Sequence, residues 1–342
     1  MTSAGAGDGS PAKKRGAFGL GLAVGIALFT GIIAWHGFGD VLAALRVAGG
    51  GLLVVAAFHL VPLVLDAFGW RALVPPSERP PAAEFVRGRW IGESVNSLLP
   101  VLQIGGIIVR AGMLRRRGVR SGPAGASVVV DMTLVALSLV AFSFLGVVIL
   151  VGRIGAGRLG LVAALGAVLM AGMVGGFFLL QRRGLFGPGA RLLGRMTDRV
   201  RGASLGVRAE ELDRSIGELY ADRRALRRSF GWHLAAWLAG AGEVWLALRF
   251  LGIPANVPSA LILESLVQAV RAAAFAVPGA LGVQEGGYLV LGGALGIPPE
   301  TCLALSLSKR ARDLLLGLPG LVAWQAEVGM AGIGSFAGEE AP

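Results

Sequence analysis

The 342 residues of this chain are 54% hydrophobic and only 15% charged, which leaves far more apolar surface than one soluble core of this length can bury. A membrane is therefore the expected solvent. The net charge of +11 comes almost wholly from arginine, and because aromatic residues do not alternate with it, no nucleic-acid partner is expected. The single Cys302 excludes an internal disulfide and offers no cysteine pair for a metal ion.

A basic N-terminus precedes the first apolar run. Lys13, Lys14 and Arg15 are followed by apolar residues 16–36, which are long enough to cross a bilayer, and no small-x-small cleavage site follows them. We therefore expect a first transmembrane helix instead of a cleaved signal peptide. Residues 1–15 are mostly small and polar, which predicts a disordered N-terminus on the cytoplasmic side.

Apolar runs of about 20 residues, the length of one membrane span, recur along the chain. Residues 90–114 and 257–297 do not fit that template, because Pro100 divides the first and Pro278-Gly279 divides the second. Irregular backbone at membrane depth is tolerated only where protein or a water-filled cavity satisfies its polar groups. The sequence thus predicts an all-α polytopic membrane protein with two broken re-entrant helical hairpins beside a set of full transmembrane helices. The six full spans are predicted at 16–36, 47–69, 123–151, 158–181, 230–251 and 302–326.

Lys and Arg are distributed very unevenly between the predicted loops. Twenty-three fall before the first span or in 70–89, 115–120 and 182–229, whereas the opposite side holds only four. Because basic residues concentrate in cytoplasmic loops, this predicts a multi-pass protein of a bacterial inner membrane with both termini in the cytoplasm. We expect a single transmembrane domain over 16–326, a cytoplasmic tail over 327–342, and an Arg-rich cytoplasmic insertion that forms a solvated helix or helix pair.

The two broken stretches share a spacing. Pro100 and Gly118 are 18 residues apart, as are Pro278 and Gly296, and the second pair follows the first at an offset of 178. With the loops assigned as above, the first hairpin enters from the cytoplasm and the second from the opposite side. This predicts an inverted repeat, the architecture with which secondary transporters build a midplane site from broken helices. The same offset pairs Val119 with Ile297, Asp131 with Lys309 and Glu93 with Arg271.

Charged residues concentrate in the last predicted span, in the sequence SLSKRARD. Lys309, Arg312 and Asp313 share one helical face by their spacing, whereas Arg310 lies about 100° away. A charge at mid-membrane needs a partner or a cavity, and three cations against one carboxylate leave an excess. We expect this face to line a cavity for an anionic or strongly polar head group, and Lys309 to pair with Asp131. Salt bridges that only hold helices together are the alternative.

Further candidates lie in the two broken stretches. Gln284 and Glu285 follow the second break, where a bent backbone and a helix N-terminus could gather around a polar ligand. Glu93 and Asn96 hold the corresponding place in the first hairpin, with hydrogen bonds to the backbone of the bend as their alternative role. Arg110 either belongs to the site or extends to the cytoplasmic head groups.

Enzyme signatures do not support a covalent reaction. His36, His59 and His233 are scattered without an HExxH pattern, and neither GxSxG nor GxxxxGK occurs. A GxGxxG match at 155–160 lies in a short loop between two spans, with no preceding strand. We therefore expect no catalytic residue, no metal ion and no cofactor.

Two segments carry a family resemblance. The run GESVNSLLPVLQIGGIIVRAGMLRRRGV with Asp131 after it, and the run VPGALGVQEGGYLVLGGALGIP with SKRARD after it, resemble the two signatures of the lysylphosphatidylglycerol synthase transmembrane-region family. The resemblance covers most of residues 16–326, and members of the family look flippase-like. The segment RWIGESVNSLLPVLQIGG is most similar to a branch of hopanoid-biosynthesis-associated membrane proteins, which are implicated in moving hopanoids between membranes.

Two departures limit what the resemblance implies. Only 16 residues follow the last predicted span, so the soluble aminoacyl-transferase domain of full-length synthases is expected to be absent, and lipid lysylation with it. Ile107 and Ile108 stand where a carboxylate is expected, which argues against a mechanism that needs an acid at that place.

Together these observations predict a flippase-like lipid transport protein that binds a hopanoid or a phospholipid and is not an enzyme. One alternative is an integral-membrane enzyme acting on polyprenyl or hopanoid lipids. Another is a non-catalytic scaffold of a lipid-synthesis complex, which would contact lipid-biosynthesis enzymes through 182–229. Small-xxx-small pairs such as Gly21 and Gly25 permit a homodimer without requiring one.

Overall fold

A computed structural model describes residues 46, 49–99, 105–155, 157–183, 199–254, 256–274 and 277–337 of the chain. Helices dominate this part of the protein, and no strand occurs within it. The predicted all-α class is therefore confirmed. The predicted N-terminus, the predicted span at 16–36, the break residue Pro100 and residues 338–342 of the predicted tail lie outside the described residues.

The helices are numbered in chain order. The first two are separated only by a turn at His59 and together form one rod over 51–71. Short 3-10 turns occur at Pro76–Glu78 and Pro278–Ala280. The helices are α1 Gly51–Phe58, α2 Leu60–Arg71, α3 Ala82–Leu98, α4 Gly105–Arg116, α5 Ser121–Ile154, α6 Arg158–Arg182, α7 Arg199–Ala221, α8 Arg223–Phe250, α9 Val257–Ala273, α10 Val283–Ala294 and α11 Pro299–Ala337.

Three helical segments of the described chain are long and apolar enough to cross a membrane: Gly51–Arg71, Ser121–Ile154 and Arg158–Arg182. They coincide with three of the predicted spans. Two further predicted spans fall inside α8 and α11, so the predicted total stays a prediction. In α6 only 6% of the apolar window is buried, which leaves its leucines and valines facing outwards, as a helix at the edge of a membrane bundle requires.

Both broken stretches contain two helices that pack antiparallel against each other. In the first, a Cβ on Gly92 would lie 3.3 Å from the Gly106 carbonyl oxygen, and Asn96 Oδ1 accepts the Gly106 amide at 2.8 Å. In the second, Gly287 of α10 lies against Val267 of α9. Helical hairpins are thus present at both predicted places, while their re-entry from the faces of the bilayer stays a prediction.

The second bend is built from left-handed backbone. Gly279, Ala280 and Gly282 have φ angles of +62°, +46° and +76°. This conformation costs a residue with a Cβ roughly 1–2 kcal/mol, yet Ala280 adopts it and is buried. Backbone held against such a cost indicates that the surrounding packing fixes the path of the chain here.

The helices that follow the two breaks match closely. Helices α4 and α10 each have 12 residues, and α5 and α11 begin 178 residues apart, at the offset seen in the sequence. Gly118 and Gly296 end α4 and α10 with φ angles of +88° and +75°. The amide after each glycine donates to the carbonyl five residues earlier, at 3.1 and 2.9 Å, which is the bond of a glycine helix cap.

Each hairpin crosses the long helix of the other half at a glycine. Helix α9 crosses α5 at Gly146, where an added Cβ would lie 1.9 Å from Ser265 Oγ. Helix α3 crosses α11 at Gly320, where an added Cβ would lie 2.0 Å from Ser94 Oγ. Each serine hydroxyl donates to the carbonyl four residues earlier in its own helix, at 2.6 and 2.8 Å. The crossings are therefore close and leave neither hydroxyl without an acceptor.

The rod over 51–71 and α8 form a central antiparallel pair. Near one end Gly69 faces the ring of His233, and near the other Gly242 faces Phe58. Glycine at these points allows the two backbones to approach. The pair consequently brings ionisable residues of α2 and α8 to the interior of the bundle.

The predicted Arg-rich insertion is only partly solvated. Within the described part of 182–229, α7 places Ile216 and Tyr220 in a buried cluster with residues of α5. Asp222 then caps α8, because its Oδ1 accepts two amides of the first turn at 3.0 Å. Helix α8 therefore begins at Arg223, seven residues before the predicted start of that span.

Replacing Gly146 or Gly320 by leucine should push the helices apart at the corresponding crossing. Overpacking costs about 1–3 kcal/mol, so each variant should have a lower melting temperature in detergent. Gly176→Leu is the matched control, since nothing lies within 4 Å of a Cβ built there. Equal melting temperatures for all three variants would contradict the close crossings.

Candidate functional site

A cavity of about 700 Å³ lies between helices of both halves of the chain. Part of its wall is apolar and includes Leu63, Leu139 and Trp237. Both hairpins reach it, through Leu98 at the end of α3 and through Gly279 in the second bend. A cavity of this volume falls in the range of small-molecule sites. The rest of its wall is polar, and most of the charged groups form two networks.

The first network centres on Asp131, which is fully buried. Its Oδ2 accepts hydrogen bonds from Arg110 Nη1 at 2.6 Å and Arg89 Nη1 at 3.1 Å, and its Oδ1 lies 2.9 Å from His233 Nε2. Asp66 closes a ring, since its Oδ2 accepts from Arg89 Nη2 at 2.9 Å and its Oδ1 lies 2.6 Å from His233 Nδ1. We name these five residues the Asp131 network.

Five helices, α2, α3, α4, α5 and α8, each contribute one residue to the Asp131 network. An isolated charge in the middle of a membrane helix costs roughly 3 kcal/mol or more. Here two guanidinium groups face two carboxylates, and the Arg110 guanidinium also lies over the Trp70 ring, 5.1 Å from its centroid. The charges are therefore matched within the protein, and their contacts hold these five helices together.

The second network centres on Glu243, which is also buried. Glu243 Oε1 accepts from Arg312 Nη1 at 2.6 Å, and its Oε2 lies 2.8 Å from His59 Nδ1. The other ring nitrogen of His59 lies 2.9 Å from Glu93 Oε1. Arg312 also donates to Asp313 Oδ1, at 2.5 and 3.1 Å. This Glu243 network joins α3, α8, α11 and the turn between α1 and α2.

Lys309 lies apart from both networks. It is buried, and its ammonium group contacts the Glu264 carboxylate of α9, to which Gln268 Nε2 also donates at 2.8 Å. The predicted pairing of Lys309 with Asp131 is therefore wrong. Asp131 instead takes its cations from α3 and α4, the two helices of the first hairpin.

Glu285 stabilises the second bend. Its Oε2 accepts the Gly282 amide at 2.8 Å, and its Oε1 accepts Ser306 Oγ at 2.7 Å and Arg310 Nε at 2.8 Å. Gln284 Nε2 donates to the same Ser306 hydroxyl at 2.6 Å. Both side chains thus fasten the start of α10 to α11.

The sequence model of the lysylphosphatidylglycerol synthase TM region family matches residues 22–320. The chain belongs to this family. The match includes every residue of both networks, so the cavity lies within the family's membrane region and not in an added segment. Membership makes this a multi-pass membrane protein with a lipid-related function. No curated protein matches the chain.

The structure divides the predicted site residues of this family member into two groups. Lys309, Glu285 and Gln284 are buried away from the cavity wall. Asn96 lines the cavity, and its Oδ1 also accepts a hydrogen bond from the Gly106 amide. It therefore binds backbone of the first hairpin, which is the alternative role that the sequence predicts for it. The candidates that line the cavity are Arg312, Asp313, Asp131, Arg110, Glu93 and Asn96.

The predicted excess of positive charge on the last span is wrong. Within the described residues, carboxylates of three other helices reach the three cations of α11. Helical spacing shows which residues share a face, but it does not show what the neighbouring helices bring to that face. The pairs are Lys309 with Glu264, Arg310 with Glu285, and Arg312 with Glu243.

Five members of the networks are absent from the sequence-based candidates: Asp66, Arg89, His59, His233 and Glu243. Counting apolar runs places Arg89 in a loop, although it lies on α3 with its side chain only 16% exposed. His59 and His233 look isolated because their partners lie 34 to 253 residues away along the chain. One property of the sequence could have identified both histidines: an ionisable residue in an apolar helix needs a polar partner.

Replacing Glu285 by alanine should destabilise the fold, because the Gly282 amide and part of the Arg310 guanidinium lose their acceptor. Removing one partner of a buried ion pair costs about 3–5 kcal/mol, and the 20% exposure of the Arg310 side chain places the loss at the lower end. Thermal unfolding in detergent measures it, with exposed Glu218→Ala as the control. A normal melting temperature for Glu285→Ala would instead favour a direct role in ligand binding.

Proposed function

We propose that this protein binds the polar head group of a membrane lipid in the cavity and carries it between the leaflets of the bilayer. The observation that carries the proposal is the 700 Å³ cavity, with its charged and polar wall, inside a bundle of apolar helices. A polar head group crossing a bilayer needs such an environment, because hydrocarbon offers it neither hydrogen bonds nor counter-charge. The apolar part of the wall suits the adjoining acyl or ring system.

An inverted repeat would provide the movement. Its support lies in three reciprocal arrangements: the 51–71 rod pairs antiparallel with α8, α3 crosses α11, and α9 crosses α5. The offset of 178 residues relates the 51–71 rod to α8, α3 to α9 and α5 to α11. Each contact between the two halves therefore recurs with the roles of the halves reversed. In transporters of this kind, one half rocks against the other and opens a midplane site to each side in turn.

An unpaired cation indicates the chemistry of the head group. Arg271 lines the cavity at the end of α9, and within the described part of the chain it makes no hydrogen bond or ion pair. A guanidinium group binds phosphate and carboxylate oxygens through parallel N–H donors. Arg271 therefore favours a phospholipid with an anionic group over an uncharged hopanoid, while a hopanoid carrying an anionic group would fit equally.

The orientation proposed from the basic loops has support at one end of the bundle. Arg87, Arg116 and Arg117 cluster there around Glu327 of α11, and Arg120 lies nearby with Glu78. Basic residues collect on the cytoplasmic side of inner-membrane proteins. We place this end, and the end of α11 with it, in the cytoplasm.

Filling the cavity should stop transport. Ala136 lines it, so Ala136→Trp occupies space that the head group needs. The measurement is dithionite quenching of labelled phospholipid in proteoliposomes, and Leu169→Trp is the control, because Leu169 is 70% exposed on the outer side of α6. We expect Leu169→Trp to move lipid like the unmodified protein and Ala136→Trp to move little. Equal rates for the two variants would refute transport through the cavity.

Replacing Arg271 by glutamine should weaken transport of an anionic phospholipid by about tenfold or more, since a hydrogen bond to a charged group contributes about 1.5–3 kcal/mol. The same variant should move a lipid that carries neither phosphate nor carboxylate much as before. Arg158→Gln, at an exposed arginine outside the cavity, is the control. An equal loss of transport for both lipids would show that Arg271 stabilises the fold and does not recognise the head group.

A further inference from the structure

The imidazole of His233 lies behind the cavity wall, between two carboxylates that line the cavity. It is fully buried, with Nδ1 at 2.6 Å from Asp66 Oδ1 and Nε2 at 2.9 Å from Asp131 Oδ1. A neutral imidazole has one N–H donor and one acceptor nitrogen, whereas an ionised carboxylate only accepts. One of the two contacts would then set a lone pair against a carboxylate oxygen. The ring can satisfy both carboxylates only when it carries a second proton.

The neighbouring cations place that proton on the ring. Arg89 donates to the second oxygen of both carboxylates, and Arg110 donates to Asp131 as well. Guanidinium groups only donate, so these contacts are best made by ionised carboxylates. With the proton present the network has one positive charge in excess, and without it the network is neutral.

The other bridging histidine differs in one respect. His59 also lies between two carboxylates, but Arg312 Nη1 is 3.0 Å from its Nδ1 and can donate to it. A neutral His59 can therefore donate to Glu93 and accept from Arg312 at Nδ1, and this donor offsets the contact of Nδ1 with Glu243 Oε2. His233 has no such donor among the groups that face it from α2, α3, α4 and α5, which are the other four members of the Asp131 network.

We propose that His233, held between Asp66 and Asp131, is a proton-binding site that couples lipid movement to proton movement. The proton enters from water in the cavity, whose wall includes both carboxylates, and returns to water when the site opens. Its departure leaves a lone pair facing a carboxylate, which weakens the tie of α8 to α2 or to α5. Because α2 and α8 form the central antiparallel pair, occupancy of this site biases the relative position of the two halves. The coupling rests on the proposed function, but the proton site does not.

The proton site is tested directly by solid-state nuclear magnetic resonance of protein labelled with ¹⁵N-histidine in lipid bilayers. The signal of His233, identified by its loss in His233→Gln, should show both ring nitrogens protonated at neutral pH. In Asp66→Asn one carboxylate is gone, and a neutral ring then satisfies both neighbours, so His233 should become neutral. A neutral His233 in the unmodified protein would overturn the proton site.

The coupling is tested in proteoliposomes with an imposed pH gradient and a labelled anionic phospholipid. The rate of lipid movement should depend on the direction of the gradient for the unmodified protein and for the control Arg158→Gln, at an exposed arginine outside the cavity, and should not depend on it for Asp66→Asn. Movement that ignores the gradient in the unmodified protein would overturn the coupling and leave the proposed function standing. No lipid movement under any gradient would overturn the proposed function, and the coupling with it, while the resonance experiment still decides the proton site.

Discussion

Charge inside a bilayer has to be matched within the protein, and this constraint organises the described helices. The Asp131 and Glu243 networks satisfy it by drawing ionisable side chains from α2, α3, α4, α5, α8 and α11 to shared contacts. A helix that shifted out of place would leave a buried charge without its partner, which costs about 3–5 kcal/mol. The ion pairs therefore specify which helices meet, and the space that they enclose is the cavity.

The parts of the fold that could be predicted are those that depend on local sequence. Apolar length gives three of the spans, and the prolines and glycines of the breaks give the two hairpins. The offset of 178 finds Gly118 and Gly296 because a left-handed helix end needs glycine in both places. These signals require no knowledge of which helices are neighbours.

The site itself depends on which helices are neighbours, and the local sequence does not specify this. Asp131 and Arg110 are found as ionisable residues at membrane depth, but their partners Arg89 and His233 are not. Glu285 resembles a ligand-binding residue in the sequence, whereas the structure uses all of its acceptor capacity to hold the second bend. Pairing between distant helices is set by three-dimensional packing, which hydropathy and spacing do not contain.

Among the described residues, the paired charges form the frame, and Arg271 is the cavity-lining cation that we propose to bind the ligand. The most direct test of head-group binding is photo-crosslinking with a phospholipid that carries a diazirine on its head group, followed by peptide mass spectrometry. The account predicts labelling of the cavity wall, at Gly92–Leu98 of α3 and at the end of α9, and less labelling when unlabelled lipid competes. Labelling confined to the outward face of α6 and insensitive to competition would contradict it.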